Sequence, residues 1–93
     1  MGRTLSKDEA LETALRDAAS RAGGDASVGS IEESTFPNSA LGAPREGEMS
    51  ADMMTSGWTI RVTAGARTLE YRANERQVRL VDFDGGNHVV YPD

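Results

Sequence analysis

The chain has 93 residues, no cysteine and a formal charge of −5, from 15 acidic against 10 basic side chains. That length suits a single domain, residues 1–93, with a modest core and no room for a large active-site cavity inside its own scaffold. The negative balance disfavours non-specific nucleic-acid binding, which needs cations against phosphate, and the lack of cysteine excludes disulfides, thiolate metal sites and a cysteine nucleophile.

No apolar run approaches the ~20 residues of a membrane span, so no membrane partner is expected and the default location is cytoplasmic. Met1-Gly2 with Ser6 fits a myristoylation pattern, but Ser6 has a better structural use. Ser6-Lys7-Asp8-Glu9 reads as a capping box, in which the Ser6 hydroxyl accepts from the Glu9 amide and the Glu9 carboxylate reaches back. A helix follows over about 7–22, with Leu11, Ala14, Leu15, Ala18 and Ala22 on one narrow apolar stripe and Gly23-Gly24 as its stop. A stripe this rich in alanine is flat, which suits packing against a sheet.

Val28, Ile31, Thr35 and Phe36 predict an irregular strand over about 28–36, ended by Pro37. Residues 37–56 then show neither helical nor alternating periodicity, and a connection that long is usually functional or mobile. Its landmarks are Leu41-Gly42-Ala43-Pro44, Gly47 and the cluster Met49, Met53 and Met54. Methionine adapts to irregular surfaces, so these side chains either line a binding site or, more plainly, plug the open end of the sheet.

From Gly57 to Ala73 apolar and polar residues alternate on both sides of Gly65-Ala66, the pattern of a β-hairpin with a type II′ turn. The implied register sets Ile60 against Tyr71 and Val62 against Leu69 on one face, with Arg61 against Glu70 on the other. Asn74-Glu75, or the longer Asn74 to Gln77, turns the chain into a strand starting at Val78. The shorter turn would place Arg61, Glu70 and Arg79 in one row. Asp84-Gly85-Gly86-Asn87 signals another turn, and His88 to Tyr91 a last strand before Pro92. The fold class is therefore α+β, an N-terminal helix packed on one face of a mainly antiparallel β-meander of three to five strands, with the meander over 57–91.

Phe36-Pro37-Asn38, Leu41-Gly42-Ala43-Pro44 with Gly47 soon after, Gly57-Trp58-Thr59-Ile60 and Tyr71-Arg72-Ala73-Asn74 come in an order that resembles a family of small, uncharacterised bacterial proteins. Its members carry a Trp-Pro-Asp, a Leu-Gly-Cys-Pro, a Gly-aromatic-x-Ile strand and a Tyr-x-Tyr-x-Thr strand. Phe36 stands where tryptophan is usual and Ala43 where cysteine is usual, and a glycine before the Val78 strand is missing. The resemblance implies a defined shape for the long loop and brings no activity with it.

Candidate chemistry is sparse. His88, the only histidine, has Asp82 and Asp84 nearby, but Asp84 begins a turn and no third metal ligand is evident, so neither a metal nor a cofactor is expected. Nucleophilic catalysis lacks a base and an orienting group. Glu32-Glu33 and Glu46/Glu48 read as solvated carboxylates. Arg61, Arg72 and Arg79 would make either a recognition face for carboxylates or phosphates or an ion-pair ladder, and Val81 with Val90 would leave an apolar spot on that face, a hint of dimerisation or partner docking, so the chain is expected to be a monomer or a weak homodimer. The leading expectation is a non-enzymatic module that binds a protein or peptide through residues 37–56, using Leu41, Met49, Met53, Met54 and the three arginines. A peptidase-inhibitor-like module, or a small hydrolase or metal-dependent enzyme around His88, is the alternative.

Overall fold

A computed structural model describes residues 4–92 of the chain. Met1 and Gly2, on which the myristoylation pattern rests, lie outside the described residues. In chain order the elements are α1 (Lys7–Ala22), β1 (Ala26–Phe36), β2 (Thr55–Ala64), β3 (Arg67–Ala73), β4 (Val78–Phe83) and β5 (Gly86–Tyr91). All five strands form one antiparallel sheet in the order β1-β2-β3-β4-β5, with α1 packed against one face.

The capping box closes α1 as the sequence predicts: Glu9 N–H donates to Ser6 Oγ at 3.1 Å, and Ser6 N–H donates to Glu9 Oε1 at 2.9 Å. Ala10, Ala14 and Ala18 are fully buried, and Leu11, Leu15 and Ala22 pack at the flanks. This flat stripe lies on Ile60, Val62, Leu69, Tyr71 and Leu80, the apolar face of the sheet. Tyr71 is wholly buried, and its hydroxyl donates to Asp17 Oδ2 at 2.7 Å, which also takes the Arg21 Nε–H at 2.7 Å. Burial, and then the bond to the Asp17 carboxylate, holds the Tyr71 phenol far above its usual range. One polar thread thus fixes the helix in register on β3.

The hairpin register agrees pair for pair with the alternation, Trp58 meeting Ala73, Ile60 meeting Tyr71 and Arg61 meeting Glu70, with Gly65 at φ 60° in the turn. The next turn takes the longer form. Asn74 Oδ1 accepts from the amides of Arg76 and Gln77, and Asn74 N–H reaches Gln77 O at 3.0 Å, so four residues separate the strands. Tyr71 consequently meets Leu80, Glu70 meets Val81, and Arg72 meets Arg79. The expected row of Arg61, Glu70 and Arg79 does not form.

Bulges account for the remaining irregularity. An extra residue at Gly29 lets Val28 oppose Val62 and Ile31 oppose Ile60, so two apolar residues three apart reach the same face of β1. Register shifts between β4 and β5 turn Val90 toward the helix-side core, which removes the apolar spot expected from Val81 and Val90 together. The turn Asp84-Gly85 has both residues at positive φ, the I′ pattern, and β5 begins directly at Gly86.

Gly57 is required for space. A Cβ there would fall on the Ala73 carbonyl and crowd Asn74 Cβ at 3.2 Å. Gly57→Ala is expected to lower stability by about 3 kcal/mol, the upper end of overpacking costs, measured as a fall in the urea midpoint. An unchanged midpoint would refute the close approach of β2 to the end of β3.

Candidate functional site

The second face of the sheet carries the polar half of the alternation, and the long connection folds over it. Residues 37–54 are ordered by their own hydrogen bonds. Asn38 Oδ1 accepts from the amides of Ala40 and Gly42, both at 3.0 Å, while Ser39 N–H donates to Ala51 O at 2.9 Å and Ala51 N–H to Ser39 Oγ at 2.7 Å. Leu41 takes a left-handed conformation with φ 58°, which sinks its side chain fully and turns its carbonyl to the sheet. Ala40 and Ala43 are buried beside it.

Arg72 and Arg79, side by side across β3 and β4, receive this loop. Arg72 donates from Nη1 to Leu41 O at 3.1 Å and from Nε to Glu70 Oε2 at 3.1 Å, with its guanidinium 5.6 Å from the centre of the Phe36 ring. Gly42 leaves room for that guanidinium, since a Cβ there would stand 2.8 Å from Arg72 Nη1. Arg79 donates to Gln77 Oε1 at 2.7 Å and Ala43 O at 3.2 Å, and grips both carboxylate oxygens of Glu48 at 2.6 and 2.7 Å. Gln77 Nε2 and Asn87 Nδ2 add bonds to Ser39 O and Pro44 O.

This geometry corrects the expected arginine face. The Arg79 side chain is only 7% exposed and its donors are spent on the loop, so Arg79, Arg72 and the buried Leu41 hold the fold together instead of presenting a surface. Only Arg61 of the three arginines remains open, flanked by Glu32 at 3.2 Å and Glu70 at 3.9 Å. Glu48 is likewise no free carboxylate. Its hydrogen bonds to Arg79, aided by the Arg45 amide, lower its pKa to about 2 against the opposition of desolvation.

The methionines do the reverse of plugging. Met49, Met53 and Met54 are 95%, 57% and 73% exposed. Met53 and Met54 stand on an open trough of about 980 Å³ that crosses the sheet end between β1, the start of β2 and the Asn74–Gln77 turn. Its walls include Trp58, Glu33, Thr35, Glu75 and Arg76. Trp58 and Glu33 are direct cross-strand partners, which places their Cβ atoms about 5 Å apart on one face. The trough was not evident in the sequence, where Trp58 reads as one more core position. It packs against the core yet stays partly exposed. A second cleft of about 500 Å³ separates α1 from Val90 and Tyr91.

His88 turns away from any such convergence. Its Nε2 lies 3.1 Å from Phe83 O and its ring meets the Phe83 ring edge-on. Asp84 pairs with Arg67 at 3.4 Å, and the Asp82 amide donates to Asn87 Oδ1 at 2.8 Å. Among the described residues no three histidine, aspartate or glutamate side chains are grouped to hold a metal ion.

A helix on one side of a five-stranded meander, a strap of irregular chain on the other and a methionine-edged trough at the end define a small α+β domain. Over residues 10–81 the chain matches the family described as Domain of unknown function (DUF8738), and it belongs to that family. No curated protein and no solved structure matches it.

The lowered pKa of Glu48 gives a signed expectation. Its stabilisation is complete above its ordinary pKa of 4.5 and is lost as pH falls from there toward 2. Glu48→Gln should cost about 1.5–3 kcal/mol at pH 7, with the gap to the parent protein narrowing over that acid range in denaturant titrations. A gap constant from pH 7 to pH 2 would contradict the pairing with Arg79.

Proposed function

We propose that the chain is a cytoplasmic, non-enzymatic binding module, akin to the small bacterial proteins its sequence pattern resembles, which takes an extended segment of another protein in the trough between β1, β2 and the Asn74–Gln77 turn. The observation that carries this reading is the outward position of Met53 and Met54 at the edge of a trough that Trp58, itself partly exposed, also lines. Exposed methionine beside an aromatic side chain is costly to leave in water, and flexible thioethers fit varied side chains. An open trough of about 980 Å³ covers one side of a peptide, whereas small-molecule sites enclose most of their ligand.

The strap supports the same reading. Its anchored part, from Asn38 to Glu48, is tied to Arg72 and Arg79, so Met53 and Met54 project from a held loop and lose less freedom on binding than they would from a mobile one. His88, engaged with the Phe83 carbonyl, offers no comparable support for a hydrolase.

Selection from a displayed library of randomised linear peptides, with the full chain as bait, tests the proposal. Enriched peptides should change the fluorescence of Trp58, the only tryptophan, and Met54→Asp should weaken them at least about tenfold, the loss of one anchoring contact. Peptides that bind without disturbing Trp58, or that ignore Met54→Asp, would overturn the assignment of the trough.

A further inference from the structure

Within that trough the charged groups are not spent as they are elsewhere on the sheet. Of the glutamates on β1 to β3, Glu32 is paired with Arg61, and Glu70 with Arg61 and Arg72. Glu33, also on β1, has no hydrogen-bond or ion-pair partner among the described residues, and neither has the Glu75 carboxylate across the trough. Among the described residues Arg76 is the one cation in the lining, beside these two carboxylates. Among the described residues no guanidinium stacks on the Trp58 ring, which keeps part of its surface exposed: those stacked on rings belong to Arg21, Arg67 and Arg72, over Phe83 and Phe36.

An indole face and an unpaired carboxylate about 5 Å apart at Cβ form a complementary pair for one kind of group, a cation with an apolar stem. An arginine or lysine side chain can lay its methylenes and charge over the indole while its head meets Glu33. The exposed thioethers of Met53 and Met54, in the same lining, suit an apolar neighbour. A second copy of this chain offering its own β1 fits poorly, because antiparallel pairing about Glu32-Glu33 sets like charges opposite one another.

Resting on the trough as the binding site, we infer that its occupant is a basic peptide segment, with an arginine or lysine seated on Trp58 between Glu33 and Glu75 and an apolar residue against Met53 and Met54. The site is selective by charge and excludes acidic segments.

The test compares three synthetic libraries of linear peptides, alike except for a central residue fixed as arginine, norleucine or glutamate, titrated against the full chain while Trp58 fluorescence and its indole N–H resonance are followed. The arginine library should bind most tightly, about tenfold over norleucine, with the glutamate library silent. Glu33→Gln with Glu75→Gln should abolish the preference for arginine while leaving the norleucine library unchanged, with the circular dichroism spectrum showing the variant folded. Equal binding of the arginine and norleucine libraries, with no effect of the two substitutions, would overturn the charge selectivity and leave the trough as a site. Failure of every library to perturb Trp58 would overturn both.

Discussion

Two arginines face each other across β3 and β4, and their mutual repulsion is the constraint around which the outer half of the molecule is arranged. Directly opposed like charges destabilise a sheet, and Arg79, only 7% exposed, lies where water can screen it little, with Arg72 half-buried beside it. The strap helps to satisfy each, Arg72 through the Leu41 carbonyl beside Glu70 of its own strand, Arg79 through the Ala43 carbonyl and both oxygens of Glu48 beside Gln77. The strap is therefore counterion and lid at once. Removing it would leave the Arg79 guanidinium without its carboxylate and Arg72 with Glu70 alone, and removing either arginine would leave a carbonyl of the strap without its donor.

The two faces of the sheet thus meet their neighbours by different physics. Toward α1 the contact is apolar and thin, set by alanines that let helix and sheet approach closely, with the Tyr71 to Asp17 bond supplying direction. Toward the strap the contact is polar and charge-assisted, with Leu41 and Phe36 as buried apolar members. Neither layer covers the end of the sheet near Gly57, where β2 passes so close to the end of β3 that no side chain fits. The exposed part of Trp58, the chain of Met53 and Met54 and the Asn74–Gln77 turn meet there.

Much of this arrangement is legible in the residues. The capping box, the stop at Gly23 and the register from Trp58 to Ala73 follow from local chemistry and period-two alternation, and the structure repeats them. The errors arise where one residue of length decides the outcome. Asn74 can close a turn of two residues or of four, and the longer choice moves Arg79 from Glu70 to Arg72. That shift, together with a strap whose order comes from Asn38, Ser39 and backbone carbonyls instead of any periodic pattern, hid the cover over the arginines. Glu33 and Trp58 read as a solvated charge and a core residue because their pairing belongs to the contact of β1 with β2, across the whole strap.

The strap also sets an order of assembly. Strands β2 to β5 are joined by the turns at 65–66, 74–77 and 84–85, so their pairings lie close in sequence and cost little chain entropy to form. The pairing of β1 with β2 must instead close residues 37–54 and awaits a platform already built. The chain thus combines a ribbon of short-range pairings, β2 to β5, with an arm of β1 and the strap that reaches it only by closing a long loop, and the trough needs both, because its walls are drawn from each.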